Sequence, residues 1–371
     1  MISWIVAISL TIFLFMRLPV LKKRVQLQNN YLVKKFSIII HAKNAEKNIT
    51  SFLKSINEQI VSPLEVIVVD DHSEDKTKDI AGQLGARVIA MPPLPAGWQA
   101  KNWAYWTGAQ QADGDIFLFV DSNTWFDKRG LLRIAEAYKK QQNRGVLTIH
   151  PYHYVKHWYE TLSMLLHMII LAASGVTNVF SKISGPAGGF EQCFICAKQD
   201  YFVLGGHETT KGSMAAHLSL SKHARKSGVF IEAKSGYRAI SMRMYPNGFA
   251  KLMDGWASSF ANRAQLMNIV PFFFTMAWLG SLAFFIVEGV QLMWSSPLYL
   301  CGMYVLLALL LLYIANRTGN FHLQDTLLFP IHLLICVVIL GYSIVKSFIA
   351  LKADRKGKYV VVQKGEDEKL K

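Results

Sequence analysis

The chain has 371 residues, a formal charge of +15 and a hydrophobic fraction of 52%, on the apolar side of the soluble norm of about 45–50%. Four cysteines in a chain of this length exclude a disulfide framework. The basic charge gathers beside apolar runs, which turns the reading away from nucleic acid and toward a membrane surface.

The first such run is Ile2–Leu21, largely apolar. It has no charged leading segment and no small-residue cleavage site, so it reads as an uncleaved anchor rather than a signal peptide. Arg17, Lys22, Lys23 and Arg24 follow it. Pro271–Trp294, Leu298–Ala315 and Leu327–Leu351 are near the roughly 20 residues that a spanning helix needs. Lys346, Lys352, Arg355, Lys356 and Lys358 close the last run. The expected layout is an anchor over 1–21, a folded domain over 35–268, a membrane region over 271–351 and a basic tail over 352–371. Such a layout predicts a multi-pass cell-membrane protein with its domain on the cytoplasmic side. Three later spans would leave the tail on the far side, whereas the positive-inside rule keeps it with the domain. One of the three is therefore expected to be re-entrant or interfacial.

Between anchor and membrane region, strand and helix patterns alternate. Phe36–His41 is β-rich. Ala45–Glu58 puts Ile49, Leu53 and Ile56 on one helical face. Leu64–Val69 is a strand, Thr77–Leu84 a short helix and Ala86–Ala90 a strand. Lys101–Ala112 is a helix, Ile116–Val120 a strand, Arg129–Lys140 a helix and Val146–Ile149 a strand. Such alternation predicts an α/β class with a mostly parallel, Rossmann-like sheet. Trp158–Phe180 is apolar but broken by Glu160, His167 and Ser174-Gly175, which suits an interfacial or buried core helix. A Gly-rich loop, Gly185–Phe190, precedes a strand at Gln192–Ala197, and Ala215–Arg225 is helical.

Two strands end abruptly in acids. LEVIVVDDHSED places Asp70 and Asp71 directly after a buried run, and GDIFLFVD does the same for Asp121. Capping of the next helix needs only Ser73 and Asp75, so Asp70 and Asp71 are left for a ligand beyond the strand ends. Lys101 opens a helix after a Pro-rich loop, where ammonium and amide dipoles add to favour an anion. Asp121-Ser122-Asn123 offers one carboxylate and one amide oxygen to a hard cation, which it would hold weakly. His150, His153 and His157 have no supporting metal context and read as surface or substrate-channel residues. Cys193 and Cys196 form a lone C-x-x-C and read as small apolar strand residues. Gly205-Gly206 makes a turn, and His207-Glu208 after it offers a proton acceptor.

Together these runs resemble the family 2 inverting glycosyltransferases of GT-A fold. FSIIIHAKNAEKNI looks like their first strand and loop, with His41 for the usual proline, Lys43 for the arginine and Ala45 for an acid. More narrowly, the chain is similar to the membrane-anchored transferases that glucosylate C30 carotenoid acids, the 4,4'-diaponeurosporenoate glycosyltransferases. That likeness rests on Leu94–Gly108, Pro151-Tyr152-His153 with Tyr159-Glu160, Gly185–Tyr201, Gly205-Gly206-His207, Arg243–Trp256 and Lys356–Tyr359. The resemblance implies a UDP-sugar donor, with glucose as the hexose, and a lipid or carotenoid acceptor. By position, His41, Ala42, Lys43, Asn44, Asp70 and Asp71 would hold the uridine, and Lys101 would face the diphosphate. Asp121 and Asn123 would hold the ribose and a divalent cation, Mg²⁺ or Mn²⁺. The family's Asp-x-Asp ends here in Asn123, and its later Glu-Asp pair falls on Ala216 and His217. The resemblance thus leaves His217 or Glu208 as the catalytic base. It also leaves open a relative that binds nucleotide-sugar or lipid without transferring.

Overall fold

Buried β-branched runs pair in parallel at the centre of the chain. The computed structural model describes residues 2–21, 30–177, 189–264, 266 and 268–355. The strands are β1 (Phe36–Ala42), β2 (Glu65–Asp70), β3 (Arg87–Ala90), β4 (Ile116–Asp121), β5 (Thr124–Phe126), β6 (Val146–His150), β7 (Tyr152–His153), β8 (Cys193–Ala197), β9 (Ile231–Ser235) and β10 (Ile240–Met242). Seven form one sheet in the order β3-β2-β1-β4-β8-β6-β9. β3, β2, β1 and β4 run parallel, and β8 opposes both β4 and β6. This is the expected mostly parallel α/β architecture. The antiparallel β8 and the small β5-β10-β7 sheet were not expected.

The register sets out the site. Ala42 lies beside Asp70, and His41 beside Asp121. Three strand ends therefore deliver their polar residues to one edge, where open α/β sheets take ligands.

Helices cover both faces. Glu46–Asn57 buries Ile49, Phe52, Leu53 and Ile56, the expected stripe with Phe52 added. Ala100–Gln110 packs so closely on β1 that a Cβ at Gly108 would lie 2.5 Å from the Ile39 side chain. A larger residue there would push this helix, and Lys101 with it, off the sheet.

The helix Met164–Ala173 is buried at every position. It is a core helix, with the strands on one side and apolar helices on the other. Among the described residues, three helices are long and apolar enough to cross a membrane: Ile269–Ser295, Pro297–Thr318 and the Phe329–Ser347 part of Phe329–Arg355. The N-terminal helix, Ile2–Phe15, has 14 residues, or about 21 Å at 1.5 Å per residue, short of a hydrocarbon core of roughly 30 Å. It leans on the longer helices instead: Trp4 stacks on Phe285 at 4.1 Å, and Trp278 donates to Thr11 at 2.8 Å. The chain then returns to the domain, where Ser235 of β9 donates its amide to Pro19 at 2.9 Å. Trp4, Leu165, Trp256, Trp278, Leu311 and Phe329 share one buried apolar cluster. Domain and apolar helices thus have a common core rather than a tether. The basic residues Lys22–Arg24 and Lys356–Lys358, and most of the Gly185–Phe190 loop, lie outside the described residues.

Candidate active site

The crevice is assembled from three strand ends and two helix starts. At the first strand end, Asn44 takes a left-handed φ of 46°, which asparagine tolerates better than most residues. Its amide donates to Ser73 Oγ at 3.0 Å, and its side-chain oxygen accepts from Glu74 N at 2.9 Å. The two loops that follow β1 and β2 are thereby fastened together. His72 beside them is also left-handed, at φ 50°.

Asp71 is buried against these loops. Its Oδ2 lies 3.2 Å from His41 Nε2 and 3.9 Å from Lys43 Nζ. Burial pushes this carboxyl up, but the hydrogen bond and charge of His41, with Lys43 and His72, more than reverse that, so it lies below the ordinary carboxylate range. Asp70 accepts from Ser73 N at 3.3 Å through Oδ2. Its Oδ1 is buried and has no partner among the described residues, an acceptor left over for a ligand donor.

On the next strand end, Asp121 Oδ1 takes the Lys101 ammonium at 2.5 Å and the Tyr105 hydroxyl at 3.1 Å. Burial first, and Asp121 second, hold the Tyr105 phenol well above its usual range, so it remains a donor. Asn102 fixes the helix start by donating to Thr210, Lys211 and Ser213 carbonyls at 2.9–3.1 Å. Asn123 Oδ1 is buried and has no partner among the described residues. Among the described residues no group of three or more His, Cys, Asp or Glu is arranged to hold a metal ion. Asp121 and Asn123 fit a divalent cation only where ligand oxygens complete the shell, as a diphosphate would.

Glu191 is the crevice residue that the sequence did not single out. Gly189, at φ +71°, passes so near the Ala216–Lys226 helix that a Cβ would lie 2.1 Å from Leu218 Cα. This close approach lets Glu191 cap the helix, accepting from His217 N at 3.3 Å and Leu218 N at 3.2 Å. Burial raises its carboxyl above the ordinary range, against the pull of Arg263 and Lys101.

The two expected bases fare differently. His217 is fully enclosed, with its ring stacked on Tyr105 at 5.4 Å and on Phe194 at 4.8 Å. Burial, then Lys101, brings it down to about 3. It stays neutral and is a weak base. Glu208 is an exposed carboxylate on the Gly206–Thr210 turn, and no hydrogen bond or ion pair among the described residues ties its side chain to the crevice. His207 spends Nδ1 on the Tyr201 hydroxyl at 2.9 Å.

His150 and His153 are not surface residues. Both are buried with His167; His150 Nε2 lies 3.3 Å from His167 Nδ1, and the His153 and His167 rings are 4.2 Å apart. His157 alone is exposed. Burial first, then Arg263, lowers His150 to about 4; burial, His150 and Arg243 lower His153 to about 3. Folded-state values below the unfolded ~6.5 mean that the unfolded chain binds protons first as pH falls. Stability is therefore expected to be full above pH ~6.5 and to decline below it, with His150 alone contributing on the order of 3 kcal/mol by pH 4. Thermal unfolding from pH 7.5 to 5 checks this; a flat profile would mean that the three rings are not held neutral.

Residues 37–190 match the family model for Glycosyl transferase family 2. The chain carries a family 2 glycosyltransferase domain. Two 4,4'-diaponeurosporenoate glycosyltransferases extend the likeness beyond this domain. That of Staphylococcus haemolyticus is 32% identical over 228 residues, 61% of this chain and 60% of the relative. That of Staphylococcus aureus (strain USA300) is 27% identical over 302 residues, 79% of each. The chain thus spans 60% of the length of the first and 79% of the second. A solved structure of glucosyl-3-phosphoglycerate synthase from Mycobacterium tuberculosis, with Mn²⁺, UDP and phosphoglyceric acid, matches with a TM-score of 0.46 and 17% identity, covering 67% of this chain and 86% of that one. The acids of the family 2 domain, Asp70, Asp71 and Asp121, all lie within the matched stretch, whereas His217 and Glu208 lie beyond it.

Proposed function

We propose that the chain is a membrane-embedded, inverting glycosyltransferase that moves a hexose, glucose in the first instance, from a UDP-sugar to a lipophilic acid such as a carotenoid acid. The observation that carries the reading is the row of strand ends, His41 beside Asp121 and Ala42 beside Asp70, inside a family 2 domain that shares its core with apolar helices. We place the domain on the cytoplasmic side, where UDP-sugars are made, because of the basic flank Lys22–Arg24 after the first apolar run.

In this reading His41, Ala42, Lys43 and Asn44 line the nucleoside, with Asp70 Oδ1 and the Asp71 carboxylate as acceptors for its donors. Lys101 exchanges Asp121 for the diphosphate and stabilises the charge that develops as UDP leaves. A divalent cation bound with the donor would supply further positive charge at the diphosphate, with Asp121 and Asn123 as its protein oxygens. An ionised acid needs no base to attack the sugar. A hydroxyl acceptor would need one, and Glu191, its carboxyl raised by burial, is better suited to that than the enclosed His217. A second reading, nucleotide or lipid binding without transfer, draws support from the 2.5 Å Lys101–Asp121 pair, which engages the acid expected for metal.

The test is a donor and acceptor screen on the purified full-length protein in detergent, with UDP-sugars, carotenoid acids and lipid alcohols, each with and without Mn²⁺. UDP-glucose with an acid should give product. Tight UDP binding with no product for any pair would favour the second reading. Metal dependence should be shallow, because Asn123 replaces a charged ligand. Asn123→Asp is expected to lower by about threefold or more the Mn²⁺ concentration at half-maximal UDP-sugar binding. An unchanged requirement would remove Asn123 from the metal site.

A further inference from the structure

Arg263 is a buried cation without a fixed anion. It lies in the last turn of the helix Phe249–Ala264 and is only 7% exposed. Among the described residues its guanidinium makes no hydrogen bond and no ion pair within 4 Å. The ionisable groups that face it are Glu191, the Tyr245 phenol and His150. Glu191 already uses both carboxylate oxygens on the amides of His217 and Leu218. A guanidinium cannot shed its charge, and a charge out of water is tolerated when an anion joins it. The position therefore calls for an anion from outside the chain.

Its surroundings say what kind. Leu252, Trp256, Ala257 and Phe260 of the same helix belong to the apolar cluster shared with the long helices. The helix is also bound to the spanning helix Phe329–Arg355, where Lys346 pairs with Asp254 and donates to Ser258 Oγ at 2.8 Å. Arg263 thus stands where the apolar cluster meets the crevice at Glu191. A long apolar chain with an anionic end satisfies both sides. The donor diphosphate already has Lys101 at its own end of the crevice.

We propose that Arg263 binds the carboxylate of the acceptor and selects lipophilic acids over the corresponding alcohols and esters. This rests on the transfer reading above. In the step it serves, a carboxylate oxygen forms a bond to the sugar C1. The bond from C1 to the diphosphate oxygen breaks, its electron pair leaves with UDP, and no proton moves. A guanidinium fork holds the carboxylate plane while one oxygen attacks.

Binding can be read without transfer. The probes are parinaric acid and its methyl ester, followed by polyene fluorescence in neutral detergent with the full-length protein. Wild-type protein should bind the acid at least tenfold tighter than the ester. Arg263→Met should abolish that preference, with ester and UDP affinities kept within twofold and the melting temperature unchanged. If Arg263→Met does not fold, Arg263→Lys carries the test and should reduce the preference at least threefold, since a point charge lacks the fork. A preference retained in the variant that folds overturns the proposal, as does equal binding of acid and ester by wild type. A parallel loss of UDP affinity would assign Arg263 to the diphosphate and overturn it too. An intact preference with no sugar transfer to 4,4'-diaponeurosporenoate would instead sink the transfer reading alone.

Discussion

Asp71→Ala is expected to lower UDP affinity at least tenfold, about 1.4 kcal/mol, with little loss of fold. Asp71 is 5% exposed and lies at the edge where three strand ends meet. Its Oδ2 draws in His41 at 3.2 Å and Lys43 at 3.9 Å. Because its carboxyl lies below the ordinary range, it is a full negative charge at neutral pH and a strong acceptor for a nucleoside donor. Removing it also frees His41, the neighbour of Asp121 across the β1–β4 register. The loops should keep their shape, because Asn44, Ser73 and Glu74 hold one another independently of Asp71. Isothermal titration with UDP reads the effect. Unchanged affinity in a folded Asp71→Ala protein would remove Asp71 from the donor site.

A second large effect lies away from the crevice. Glu160→Ala is expected to cost about 3 kcal/mol of stability. Glu160 is fully buried and accepts from Arg243 Nη2 at 2.6 Å and Nε at 3.1 Å through Oε1, and from Arg243 Nε at 3.3 Å and the Lys156 amide at 2.7 Å through Oε2. The pair joins the end of β10, the middle strand of the small sheet, to the short helix Trp158–Thr161 that precedes the buried Met164–Ala173 helix. Its loss leaves the Arg243 guanidinium and the Lys156 amide without their acceptor. The Arg243 side chain keeps 24% exposure, so water relieves part of the penalty, and the lower end of the usual 3–5 kcal/mol applies. Chemical unfolding followed by tryptophan fluorescence measures it. A loss below about 1 kcal/mol would mean that the pair is open to solvent.

β1, β2 and β4 were legible because each is a largely buried run of six or seven residues, and β2 and β4 end on acids. Asp70, Asp71 and Asp121 needed only the rule that ligands gather beyond such ends. β5, β7 and β10 hold three, two and three residues, too few for alternation to register, so the small sheet was invisible. His150 and His153 looked external because polar and aromatic residues surround them in sequence. They are enclosed only when the Met164–Ala173 helix and the apolar helices close over β6 and β7. Glu191 is one acid between a Gly-rich loop and a strand, and nothing nearby in sequence marks it as a cap for a helix 25 residues later. A usable signal did exist for Arg263. Leu252, Trp256 and Phe260 fall every four residues, and Arg263 continues the same face three residues on. A charge on the apolar stripe of a helix is a reason to look for its anion.

The central claim is inverting transfer at the strand-end crevice. It is tested most directly by incubating the purified full-length protein with UDP-glucose and 4,4'-diaponeurosporenoate and determining the anomeric configuration of the product by NMR. The account predicts a β-glucosyl ester, formed one for one with released UDP and reduced at least tenfold in Asp71→Ala at limiting donor. An α-linked product, or UDP released without any glucosyl ester, would contradict it.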